Sequence, residues 1–119
     1  MNFLKYISKL YLLIIVLLAV LPINGTSLVL NNNYTFSIRW DYLVHAIAYI
    51  PLVFAISVLF NNNNARLILL PILIAIVLEG LQYFISWRTF NINDMLSNIL
   101  GAAIGFLIWK INYMKYVKQ

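Results

Sequence analysis

The side chains able to do chemistry in this sequence are few, and their spacing is regular. Asp41 and His45 stand four residues apart and Tyr49 follows four later, so on a helix all three share one face. Glu79 and Gln82 share a face of a later segment by their spacing of three, and Arg88 lies beyond them. Asp94 and Asn98, again four apart, open the last segment. These eight positions hold every acid in the chain and its only histidine. A carboxylate and an imidazole can exchange protons, which makes His45 and Glu79 the candidate acid and base. A guanidinium grips phosphate as a planar fork, and carboxylates and amides bind hydroxyl or amine groups. One histidine among acids is a weak signature for a hard divalent ion, so no metal or other cofactor is expected.

The elements that carry these residues are apolar. Of 119 residues, 64% are hydrophobic and 9% charged, with a mean hydropathy of +0.91. A soluble domain carries roughly 25% charged residues to solvate its surface, so a soluble globular fold is excluded. There are no cysteines, which removes disulfides, thiolate catalysis and Cys-ligated metals. Four apolar stretches, at about 4–23, 41–60, 65–87 and 93–113, each approach the ~20 residues a helix needs to cross ~30 Å of hydrocarbon. The runs lack the alternation of a membrane β-barrel. The expected fold is therefore all-α, a four-transmembrane-helix bundle forming one domain over 1–119. Pro22 to Gly25 and the run Asn61 to Asn64 punctuate it, and Pro51 should kink the second helix. The first segment also has the charged start of a signal peptide, but no small-x-small cleavage site follows, so it reads as a retained helix.

Lys+Arg 8 against Asp+Glu 3 gives +5. The positive charges cap apolar segments and form no stripe, so nucleic acid is not an expected partner. Lys5, Lys9, Arg66, Lys110, Lys115 and Lys118 fall on one side of the expected membrane, and only Arg39 and Arg88 on the other. The positive-inside bias then puts both termini in the cytoplasm. Asn24–Trp40 and Ser86–Asn93 would face outward, with a short hairpin of 26–30 against 34–38 in the first of them. Two glycosylation-type triplets, at Asn24 and Asn33, carry no weight at three residues each.

On these spans, Glu79 and Gln82 would lie roughly 12 Å and 8 Å from the outer end of the third helix, at ~1.5 Å per residue. Arg88 would close that helix, ~14 Å of rise from Glu79. An intramembrane charge costs a few kcal/mol at least, so each should pair or line a wet cavity. Glu79 is expected to face His45 or Asn98, and Arg88 to sit near Asp94 or a phosphate. Bland readings stand beside these. Asp41 and Asp94 read equally as helix N-caps, His45 as a packing residue, and Asn98 as interhelical glue. Gly101 and Gly105 form a GxxxG pair, a helix-packing signal.

Taken in order, these blocks resemble the VanZ-like family of small bacterial membrane proteins. The match runs through Asp41, His45 and Tyr49, then Glu79, Gln82 and Arg88, then Asp94, Asn98, Gly101 and Gly105. Tyr42, Ala46 and Ser86-Trp87 depart from the family's usual Lys, aromatic and Pro-Gly at the corresponding points. The resemblance implies a multi-pass protein of the bacterial cell membrane with a link to glycopeptide (teicoplanin) tolerance.

Three functions follow from the residues. The first is binding or modulation of a membrane lipid or lipid-linked cell-wall precursor in an outward polar pocket. The second is an enzyme acting on such a headgroup. The third is a proton-coupled transporter, for which four helices without an internal repeat are few. A second copy of the chain is a candidate partner in each.

Overall fold

A computed structural model describes residues 2–21, 34–35, 38–60 and 64–117. Four helices form within them: α1 (Asn2–Val20), α2 (Trp40–Phe60), α3 (Asn64–Gln82) and α4 (Ile92–Val117). Each contains a stretch long and apolar enough to cross a membrane. Four crossings bring the start of α1 and the end of α4 to the same side. At the opposite end, α1 and α3 finish while α2 and α4 begin; this is where the polar residues collect.

The helix ends depart from the sequence reading. α1 stops at Val20, with Leu21 in a bend, short of the expected 23. α3 stops at Gln82 and not at Trp87. Residues Tyr83, Phe84 and Ile85 close onto the carbonyls of Gly80, Leu81 and Gln82 in tight three-residue steps, and an irregular link follows to Asn91. The apolar side chains of this link (Tyr83, Phe84, Trp87, Phe90, all exposed) read by hydropathy as more helix. α4 continues to Val117, past the expected 113, with Lys115 in its last turn, where a cation suits the negative end of the helix dipole.

The expected outer hairpin also differs. Tyr34–Thr35 (β1) pairs antiparallel with Ile38–Arg39 (β2), so the stretch taken as one strand folds back on itself. Its expected partner, 26–30, and the two glycosylation-type triplets' asparagines lie outside the described residues.

α2 is the hub of the bundle, packing most extensively on α4, then on α1 and α3. The core is Leu52, Val53 and Ile56 of α2 with Leu67 and Ala75 of α3, all fully buried, joined by Ala102 and Trp109 of α4 and Ile15 of α1. Elsewhere large apolar side chains such as Leu69, Leu73, Leu100 and Leu107 point outward, as a helix surrounded by hydrocarbon requires. The α2–α4 seam is close enough for backbone to meet backbone. A Cβ built on Gly101 would sit 2.0 Å from the Ala46 carbonyl oxygen, and one on Gly105 would sit 2.5 Å from that of Ile50. α1 is held differently. Only 11% of its span is buried, against 28% for each of the other three, and the Tyr11 hydroxyl ties its middle to the Ala48 carbonyl of α2.

Candidate functional site

The shortened α3 changes the setting of Glu79. It stands three residues from the helix end, about 4.5 Å by helical rise, and not deep in an apolar run. It is nonetheless 1% exposed. The returning link supplies its partner, since the backbone N–H of Asn91 donates to Glu79 Oε1 at 3.0 Å. Asn91 also starts α4. Its side-chain oxygen accepts from the Asn93 N–H at 3.0 Å, and its carbonyl accepts from Asp94 and Met95. That is an N-cap. The N-cap reading of Asp94 is thereby corrected, because Asp94 lies inside the first turn and Asn91 holds the capping position. Glu79 thus anchors the start of α4 from a neighbouring helix, with its carboxyl at the positive end of the α4 dipole.

Beside Glu79, the tight seam lays His45 of α2 against α4. Its Nδ1 lies 3.1 Å from Asn98 Oδ1, and Asn98 is 3% exposed. An amide oxygen only accepts, so Nδ1 carries the proton. Nε2 is left for proton exchange, 3.7 Å from Asp94 Oδ2, an ion-pair distance longer than a hydrogen bond. The His45 and Asp94 side chains are 33% and 15% exposed, which makes this pair the accessible part of the cluster. Asp94, His45 and Arg88 are all close enough to act electrostatically on Glu79. Asp41 is buried in the first turn of α2, where a carboxylate is favoured. Tyr49, one turn below His45, is buried in the core within electrostatic reach of Glu79. Among the described residues no three His, Cys, Asp or Glu side chains gather as a metal site.

Gln82 and Arg88 turn the other way. The Gln82 amide donates to the Ala19 carbonyl at 3.3 Å, the Trp87 indole to Val20 at 2.9 Å, and the Arg88 guanidinium to Leu18. With Leu17 taken by the N–H of Leu21, the last four carbonyls of α1, which a helix leaves without internal partners, are all met. Arg88 was expected near Asp94 or at a phosphate; its Nη2 is at the end of α1 instead. The Glu79–Arg88 separation is likewise no helical rise, because the helix has ended between them.

Sequence reasoning passed over Asn91 and Tyr11, and marked Trp87 and Tyr42 only as departures from the family pattern. Tyr42 accepts at its hydroxyl from the Asn93 amide at 3.3 Å. Asn91 had a legible signal, an Asn just before an apolar helix. Trp87 had none, because its partner is a backbone carbonyl, which any residue supplies.

Neither a curated protein nor a solved structure matches the chain. A family model described as VanZ/LLP1 matches residues 6–113, nearly its whole length. Four apolar helices, with His45, Glu79, Asp94 and Asn98 gathered where they meet, belong to a multi-pass membrane protein of the VanZ/LLP1 family.

Proposed function

We propose that the polar end of the bundle faces outward and holds the headgroup of a membrane lipid or lipid-linked cell-wall precursor. The observation that carries this reading is the grouping of His45, Asp94 and Asn98 with buried Glu79 at one end of an otherwise apolar bundle. Charges at membrane depth cost several kcal/mol unless they are paired or wet. His45 and Asp94 meet the ligand, Asn98 and Glu79 hold them in register, and Arg88 and Gln82 border the site on the α1 side. The bias of basic residues supports cytoplasmic termini, and family membership supports a bacterial cell-membrane location and a role linked to glycopeptide tolerance.

Native mass spectrometry of the detergent-purified protein tests the binding reading. A stoichiometric adduct with the mass of a phospholipid or a polyprenyl-linked saccharide is the expected result, and only unliganded protein after gentle extraction would contradict it. A reporter fused at Gln119 should be active on the cytoplasmic side, and one in the 24–40 segment on the outside.

The His45 geometry favours one further reading, catalysis on the same headgroup. An imidazole with Nδ1 fixed by Asn98 and Nε2 facing Asp94 is oriented for proton transfer. Turnover of the bound lipid, lost in His45→Gln with binding kept, would distinguish it.

A further inference from the structure

The three side chains that meet α1 form a donor set arranged around oxygens. A guanidinium, an indole N–H and a carboxamide, from one short stretch of chain, reach the consecutive carbonyls of Leu18, Ala19 and Val20. A helix C-terminus carries about half a negative charge on such carbonyls, so the set is built to receive partly anionic oxygen. A phosphate presents the same chemistry with a full charge, and Arg is the side chain best shaped for it. Arg88 Nε is buried with no hydrogen-bond partner, so the guanidinium has a donor in reserve. The helix that occupies the set is also the least buried of the four spans, and its carbonyls lie at a helix end, where water can replace protein donors.

We infer that the end of α1 is an internal stand-in for an anionic headgroup. A ligand phosphate takes Arg88 by exchange with the Leu18 carbonyl, and the end of α1 moves away as it does so. Trp87 is a positioning residue in this exchange. It fastens α1 through Val20 and sets how readily Arg88 is surrendered. The inference rests on the headgroup-binding reading and adds to it the ligand's charge and a moving part.

The chain has no cysteine, so two spin labels can be placed without background. Leu21 and Phe84 are both exposed, one just past α1 and one just past α3. Leu21→Cys/Phe84→Cys would be labelled in phosphatidylcholine nanodiscs and titrated with phosphatidylglycerol, with inorganic phosphate as a separate arm. The expected result is a longer label-to-label distance that saturates with phosphatidylglycerol. A shift with phosphate alone would identify the free anion as sufficient. Trp87→Phe, which keeps an aromatic ring but loses the donor, should raise phosphatidylglycerol affinity ~5-fold, the equivalent of one neutral hydrogen bond removed from the competitor. Arg88→Ala should abolish the response. Phosphatidylglycerol retained in native mass spectra with an unchanged distance would overturn the exchange and leave headgroup binding standing. Retention of a neutral or zwitterionic lipid alone would overturn the inference and leave headgroup binding standing, and no lipid retained at all would overturn both.

Discussion

The two walls of the polar site are built on opposite principles. On the α2–α4 side the walls meet backbone to backbone, with Gly101 and Gly105 against the carbonyls of Ala46 and Ile50, and His45 is locked to Asn98 across the seam. On the α1 side little apolar surface is buried, and the contact at the site is made by side-chain donors capping a helix end. Close packing has no tolerance for displacement, because interiors as dense as crystals must shift when a single atom is added. Hydrogen bonds at a membrane interface exchange with water at little cost. The seam therefore fixes His45 against Asn98, while α1 is the wall that the proposed exchange would open.

The sharpest way to break this contrast is at the seam. Gly101→Ala places a methyl 2.0 Å from a main-chain oxygen, which no side-chain rotation can relieve. It should cost about 3 kcal/mol and separate α2 from α4. Thermal unfolding in detergent should show a large loss of stability, with Gly105→Leu behaving likewise. An unchanged melting temperature for Gly101→Ala would mean that the seam is not rigid. Asn98→Leu should cost less, about 1–3 kcal/mol, by leaving His45 Nδ1–H without its acceptor. The imidazole would then be free to rotate, and its nitrogen shifts in an NMR spectrum should report a mixture of tautomers. A single Nδ1–H tautomer in that variant would show that Asn98 does not orient the ring. Gly80→Ala is the smallest effect and the opposite in sign. Nothing lies within 4 Å of a Cβ there, and alanine in a helix interior is favoured over glycine by roughly 0.5–1 kcal/mol. A destabilised Gly80→Ala would reveal a contact on that face of α3.

Legibility from the sequence divides along the same line. Each span announced itself, because only a helix satisfies its own backbone in hydrocarbon, and ~20 apolar residues are its signature. Asp41, His45, Asp94 and Asn98 could be placed on faces by counting, since their helices begin within a residue or so of where polar residues first appear. Gln82, Trp87 and Arg88 could not. Their stretch is as apolar as the helix before it, so hydropathy carried α3 on to Trp87, and the turn at Gln82 is made by backbone bonds that no side chain announces. Their partners are main-chain carbonyls, which have no residue identity to read. Glu79 lies between the two cases: its burial was legible, but its bond to the Asn91 N–H depends on the same unseen turn.

Two roles are open to Glu79, in the proposed site and at the start of α4, and one substitution separates them. Glu79→Gln keeps an oxygen that can accept from the Asn91 N–H, so α4 should begin as before and the melting temperature should stay within a few degrees. It removes the ionisable carboxyl that lies within electrostatic reach of His45, Asp94 and Arg88. Purified side by side at equal membrane abundance, wild-type protein should carry its lipid adduct in native mass spectra, and folded Glu79→Gln should have lost it. A Glu79→Gln variant that folds and retains the same lipid in the same proportion would contradict the account and leave Glu79 as a helix anchor alone.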